Sequence, residues 1–182
     1  MYPSNARIGT QEKDHSFQYG VFFGLEIHLT GSNCLFMSLH DTTISNSRSN
    51  GVVAVICKDG QFLVIKRATN VIAPGKICFP GGKLRPGEAE KVAVIRELKE
   101  ELGLTGEVIQ LLWRSITPWD VALSWWHVEL KAAELWRPNP DEVDWVGWMR
   151  TEELLRCSAL LESNRHFLEA MGRGEVLAFL DG

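Results

Sequence analysis

The sequence predicts an α/β fold, a sandwich in which a mixed sheet carries helices on its faces. Three observations lead there. Two β-branched apolar runs, "GVVAVIC" and "QFLVIKR", flank Asp59-Gly60, a hairpin-turn signature. One well-bounded helix follows over 88–102, and after it come further strand-like runs and then two short terminal helices. Strands, helix, strands, helices is not the alternation of a repeating βαβ array.

Residues 1–50 read as an N-terminal arm and linker. They are polar at first, then "FQYGVFFGLEIHLTG" and "NCLFMSL" suggest two strands, and the Ser/Thr/Asn-rich "HDTTISNSRSN" is a linker by composition. Met37 opens "MSLHDTTISNSRSN", and a natural start there would make residues 1–36 upstream translation. The folded domain is expected over 51–182. Its strands are predicted at 51–57 and 61–67; a loop with Pro74 and Gly75 and the short "KICFPGG" lead to the helix 88–102. Strands at 106–117 and 121–133, the loop "WRPNPD" at 136–141 and a last strand at 143–149 follow. Thr151 and Ser163 are placed to cap the two terminal helices, "EELLRC" and "NRHFLEAMG".

Composition narrows the function. Apolar residues make up 45% and charged residues 23%, and the formal net charge of −4 gives no electrostatic footprint for nucleic acid or a membrane surface. Cys34, Cys57, Cys78 and Cys157 show no CxxC spacing, so neither a zinc site nor a disulfide framework is expected, and reduced thiols point to the cytoplasm. No apolar run reaches the ~18 residues of a membrane span, and no secretory signal pattern opens the chain.

The helix poses the chemical question. Pro86-Gly87 is a turn, Glu88 is acidic in the first helical turn, and Gly103 stands at a left-handed C-cap. At roughly 100° per residue, Val92, Val94, Ile95, Leu98 and Leu102 share one arc, while Glu97, Glu100 and Glu101 share another with only Ala93 among them. Most acidic runs are solvated surface. Here, however, like charges at i,i+3 and i,i+4 each cost roughly a few tenths of a kcal/mol, and acids near a helix C-terminus oppose its dipole. A divalent cation would offset both, because hard ions such as Mg²⁺ take carboxylate oxygens and keep waters that reach substrate phosphates. The preceding "FPGGKLRPGE" adds Gly81 and Gly82, where backbone can approach closely, and Lys83 and Arg85 as phosphate partners. One ligand suits both halves: a metal-bound polyphosphate.

These residues also match a known pattern. Gly82, five residues, Glu88, seven residues, Arg96-Glu97-Leu98, one residue, Glu100-Glu101, one residue and Gly103-Leu104 resemble the Nudix box, complete at nine specified positions in 23. The likeness runs from about Gly51 to about Cys157. It implies a Nudix-fold α/β/α sandwich, Mg²⁺ as cofactor with Mn²⁺ as a substitute, and hydrolysis of a nucleoside diphosphate linked to another moiety. By the same resemblance Glu97, Glu100 and Glu101 match the metal-binding carboxylates, and Gly81 the position whose carbonyl often joins them. Arg96 looks like the arginine that orients the glutamates, and Glu88 like the residue tying loop to helix. Such proteins often recruit one more acid from a later loop; Glu142 in "PDEVDW" is the candidate, with Asp144 and Glu129 behind it.

The expected chemistry is attack of a water on phosphorus, with the cation neutralising the pyrophosphate and making the water more acidic, and Glu100 or Glu101 taking the proton. Lys66, Arg67, Lys83 and Arg85 are candidates to hold the leaving phosphate. Trp119 and Asp120 follow Pro118 in a loop, where an aromatic plane could stack on a base and an acid accept its hydrogen bonds. Trp125 and Trp126 lie within a strand, one expected to face inward; Trp145 and Trp148 read as core or interface. The substrate is expected to be a small nucleotide, either a nucleoside triphosphate or a nucleotide conjugate. The alternative is a catalytically weak Nudix-like nucleotide-sensing domain, although such domains commonly carry degraded boxes and this box is complete. RNA cap removal is disfavoured by the acidic balance. A homodimer, with residues 17–38 exchanging strands, is the candidate assembly.

Overall fold

The strand β1 (Ser49–Val55) is buried from Gly51 to Val55, as expected of a strand covered on both faces. Its side chains divide by parity. Val52 and Ala54 join Leu63 and Ile65 of β3 (Gln61–Arg67) in a core beneath the helix α1 (Glu90–Leu102). Val53 and Val55 join Phe62 and Val64 in a second core containing Phe167 and Leu168 of α3 (Glu162–Gly172). Strands thus form a middle layer between α1 on one side and α3 on the other, an α/β/α sandwich. Residues 49–131 and 135–177 are described in this computed structural model, all within the unit Ile44–Gly182. The strands and linker expected before residue 49 lie outside the described residues.

The middle layer is two sheets. In one, β5 (Gly81–Lys83), β1, β7 (Val121–Leu130) and β6 (Gly106–Ile116) lie in that order; β1 and β7 are parallel and the other pairs antiparallel. In the other, β3 pairs antiparallel with β8 (Val143–Arg150) and with two short strands, β2 (Cys57–Lys58) and β4 (Ile77–Cys78). The expected hairpin is therefore only partly realised. Asp59 and Gly60 do take the positive φ values, 50° and 71°, of a tight hairpin turn. Yet the pairing across it is short, Cys57 and Lys58 with one more bond from the Leu63 N–H to the Ile56 carbonyl at 3.0 Å, because β1 then leaves to lie between β5 and β7. Alternation identifies a strand but not its partner.

Helix boundaries also moved for tertiary reasons. α1 starts at Glu90 rather than Glu88, whose carboxylate instead accepts the Arg85 N–H at 3.0 Å and closes the Pro86-Gly87 turn. Its C-terminus is as expected: Gly103 is left-handed at φ 67° and donates to the Lys99 carbonyl at 2.9 Å. Neither predicted terminal cap is used. Arg150 precedes α2 (Thr151–Arg156), with its N–H bonded to the Glu153 carboxylate at 2.8 Å. Leu161 precedes α3, held by its N–H on the Ile77 carbonyl at 2.8 Å, so Ser163 falls inside the helix.

The roll of α1 differs most from the periodicity argument. Val92 is 61% exposed, whereas Glu97 is 9% and Glu101 3% exposed. The buried face is Ala93, Val94, Glu97, Leu98, Glu101 and Leu102, so two of the glutamates face the sheet instead of solvent. Leu98 and Leu102 still supply about 1.5–3 kcal/mol each by burial. No helix among the described residues is long and apolar enough to cross a membrane.

Candidate active site

Two glycines set α1 against β5. Gly81 has φ 149°, and a Cβ there would run into the Val52 carbonyl; its N–H donates to Glu101 Oε2 at 2.9 Å. A Cβ on Gly82 would come within 2.5 Å of the Glu97 carboxylate. Side chains at either position would therefore push the strand away from the helix, and the two acids would lose their cover.

Arg96 ties three carboxylates together. Its Nε and Nη2 grip Glu88 at 2.6 and 2.7 Å, while Nη1 donates to Glu97 at 2.8 Å and to Glu100 at 2.9 Å. Arg85 holds the other Glu100 oxygen at 2.9 Å. These bonds hold the Glu88 carboxyl well below its usual range, at about 2, with Arg96 the largest cause. Burial acts the opposite way on the neighbours: it raises Glu97 despite Arg96, and pushes Glu101 up to about 8 despite the Gly81 bond.

The loop after β7 brings the later acid. Arg137 and Asn139 donate backbone N–H groups to the carbonyls of Leu102 and Glu101, at 2.7 and 2.9 Å, stapling the loop to the end of α1. Glu142 then joins Lys83, Arg85, Glu97 and Glu100 around an open basin of about 1030 Å³, and its charge helps raise both Glu97 and Glu101. The fallback acids are elsewhere: Asp144 pairs with Lys66 at 3.6 Å, and Glu129 stands opposite Glu107 on the β6–β7 ladder.

Not every expected substrate contact converges. Lys83 and Arg85 line the basin. Arg67 lies beside a second, more apolar cleft of about 280 Å³, where its Nε donates to the Ile72 carbonyl at 2.8 Å and its charge reaches Glu101. Lys66 is engaged by Asp144 and lines neither. Trp119, 71% exposed, borders a separate hollow with Glu162, Ser163 and His166, and Asp120 sits in the turn with its N–H on the Thr117 carbonyl at 3.0 Å. The structure therefore does not gather Trp119, Asp120 or Lys66 with the glutamates: Lys66 follows the β3–β8 pairing, and the other two follow the β6–β7 turn. Of the two strand tryptophans, one of which was expected to face inward, both are buried: Trp125 stacks on Phe167 at 4.5 Å in one core and Trp126 packs in the other, because the strand is covered on both faces.

The apolar cleft was not visible in the sequence. It joins the basin through Ser49, Asn50 and Lys83, and is walled by Phe79, Leu123, Leu161 and Asn164. Asn164 is 2% exposed and accepts the Phe79 N–H at 2.7 Å across 85 residues of sequence. A polar residue in the first turn of a terminal helix carries no signal of that role.

The donor chemistry suits a hard divalent cation: oxygen only, from several acids, two of them held above their usual range by burial and by neighbouring carboxylates. No three His, Cys, Asp or Glu side chains among the described residues converge on a point where a metal could sit, because Arg96 and Arg85 draw Glu97 and Glu100 toward themselves. The residues fit the ion in kind, and Arg85, on an exposed loop, is the contact most readily exchanged.

Comparisons with known proteins agree with this geometry. The Nudix domain family model matches residues 47–171. CTP pyrophosphohydrolase of Escherichia coli (strain K12) is 36% identical over 80 residues; the match covers 42% of this chain and spans only 59% of that enzyme's length. The 8-oxo-dGTP diphosphatase of the same organism is 31% identical over 98 residues, 50% of this chain and 72% of that one. A MutT Nudix hydrolase from Burkholderia pseudomallei superposes with a TM-score of 0.59 at 27% identity, covering 66% of this chain and 95% of that chain. With the box complete and its helix laid on the sheet as described, the chain belongs to the Nudix family.

Proposed function

We propose that the protein hydrolyses the diphosphate linkage of a nucleoside triphosphate or nucleotide conjugate, with Mg²⁺ as cofactor and Mn²⁺ able to replace it. One observation carries the reading. Glu97 lines a basin that also holds Lys83, Arg85, Glu100 and Glu142, with the buried Glu101 beside it on the same helix face, and this basin joins an apolar cleft of about 280 Å³ through Ser49, Asn50 and Lys83. The similarity to CTP pyrophosphohydrolase and 8-oxo-dGTP diphosphatase supports a triphosphate as one such substrate.

Glu97, Glu100 and Glu101 would hold the cation, which when bound supplies neutralising charge and a more acidic water. Glu100 and Glu142 line the basin, whereas Glu101 lies beneath it, so Glu100 and Glu142 are the acids placed to take the proton from the attacking water, Glu142 being the one outside the proposed ligand set. Lys83 and Arg85 grip the departing phosphate, Arg85 exchanging Glu100 for a phosphate oxygen. The new P–O bond comes from water, and the broken one leaves with pyrophosphate or phosphate. Arg96 keeps Glu97 and Glu100 oriented throughout. A cytoplasmic location and homodimerisation belong to the same proposal and are checked by fractionation and light scattering.

The test is release of phosphate and pyrophosphate from CTP, dGTP, 8-oxo-dGTP, nucleotide sugars and dinucleoside polyphosphates, with Mg²⁺ or EDTA. Mg²⁺-dependent turnover of one class supports the proposal. Nucleotide binding without turnover moves the reading to a sensing domain. Within the active enzyme, Glu142→Gln is expected to lower kcat by about 10²-fold or more, while Asp144→Asn stays within about threefold, since Asp144 faces Lys66. Equal losses from the two would remove Glu142 from the mechanism.

A further inference from the structure

Glu90 opens α1, and nothing in the Nudix pattern specifies it. It lies seven residues before Glu97 and eleven before Glu101, which at about 100° per residue puts it within about 20° of both. The three acids form one stripe along the sheet-facing side of the helix. The two nearer the C-terminus belong to the proposed metal site; Glu90 does not reach it.

Glu90 is bonded to sheet strands instead. Arg114 on β6 donates Nη1 to Glu90 Oε1 at 2.8 Å and Nη2 to Oε2 at 3.1 Å, a two-pronged grip. Ser124, on β7 opposite Arg114 and 5% exposed, donates its hydroxyl to Glu90 Oε1 at 3.0 Å and accepts from Arg114 Nη1 at 2.6 Å. The first turn of α1 is thereby fixed to two strands that carry none of the proposed metal ligands.

The helix needs such a tie. Its apolar residues alone would favour a roll that covers Val92 and turns Glu97 and Glu101 toward water, yet Val92 is 61% exposed and the two acids are covered. A roll of about 20°, acting at the roughly 5 Å radius of a helix with side chains, displaces a carboxylate by about 2 Å. Metal–oxygen distances tolerate about 0.2 Å. Small changes of roll would therefore move Glu97 and Glu101 by more than a bound cation would tolerate.

We infer that Glu90 and Arg114, with Ser124, are positioning residues that lock the roll of α1 and so set the carboxylates of the metal site. This rests on the metal-dependent function proposed above. The clamp acts through the helix and touches neither substrate nor cation.

The experiment compares wild type with Glu90→Gln, Arg114→Met and Arg114→Lys, each checked by circular dichroism. Mn²⁺ binding is titrated by electron paramagnetic resonance without substrate, and the Mg²⁺ concentration for half-maximal activity is read alongside. Arg114→Met and Glu90→Gln are expected to weaken Mn²⁺ binding tenfold or more and to shift the Mg²⁺ requirement by the same factor. At saturating metal kcat should recover to within about threefold of wild type, and Arg114→Lys should retain most of the affinity. Variants that melt earlier but bind Mn²⁺ like wild type would overturn the inference, leaving a structural tie only. A wild-type protein that binds no Mn²⁺ would sink the metal reading itself and this inference with it, an outcome distinct from the first.

Discussion

Glu101→Gln is expected to stabilise the metal-free protein at pH 8 while reducing turnover by orders of magnitude. The sign follows from burial. Glu101 is 3% exposed, and its carboxyl is pushed from 4.5 to about 8 by burial, with the neighbouring acids adding to the effect. Between those two values the folded state keeps a proton that the unfolded chain has released, so stability falls as pH rises from about 4.5 to about 8. The loss at pH 8 is on the order of 3–5 kcal/mol. Glutamine keeps a carbonyl oxygen for the Gly81 N–H but carries no charge, so this decline should disappear. Urea unfolding in EDTA at pH 5 and pH 8 reads it directly. Parallel pH dependence in both proteins would mean that Glu101 is not the group held protonated. Mg²⁺ should oppose the decline in wild type, by about 2.7 kcal/mol at a hundredfold excess over Kd, and should do far less for the variant.

That trade between stability and turnover was only half legible in the sequence. Gly103 needs a left-handed conformation and Pro86-Gly87 a turn, so local stereochemistry marked the ends of α1 to within two residues. The box acids were legible because their repulsion is a local cost that a purely structural helix would avoid. The burial of Glu97 and Glu101 was not, because helical periodicity counts apolar residues and assigns Val92 to the core. The actual roll comes from bonds made at long sequence separation: Glu90 to Arg114 and Ser124, and Glu101 to Gly81. The same limit hid the apolar cleft, whose wall joins Phe79 to Asn164. It also made Trp119 a candidate to stack on a substrate base, when the β6–β7 turn carries it to a hollow separate from the basin. Glu142 was a candidate by its approximate position, and the loop bonds to the end of α1 explain how it comes to line the basin.

Arg96→Met should be the most damaging single change outside the proposed ligands. The guanidinium answers Glu88, Glu97 and Glu100 at once and also donates to the Lys83 carbonyl at 3.1 Å, with only 15% of its side chain exposed. Removing it leaves three acids facing one another, two of them with 11% exposed side chains. The expected result is a clear fall in the melting temperature, less than for a fully buried ion pair because Glu100 is 41% exposed and solvent screens its share. The pH dependence has the opposite sign to that of Glu101. Arg96 lowers Glu88 from 4.5 to about 2, so the stability it confers is complete above about 4.5 and is lost as pH falls toward 2. In Arg96→Met this acid-side dependence should flatten. Arg96→Lys guards against a variant that cannot fold: it keeps one charge but cannot form the planar two-pronged grip on Glu88, so it should fall between wild type and Met in stability. If cations and Arg96 compete to neutralise the same acids, Mg²⁺ should raise the melting temperature of Arg96→Met by more than that of wild type, even though turnover stays low. An equal Mg²⁺ shift in both would mean that the ion meets acids Arg96 does not hold, and that its role is confined to joining the loop to the helix.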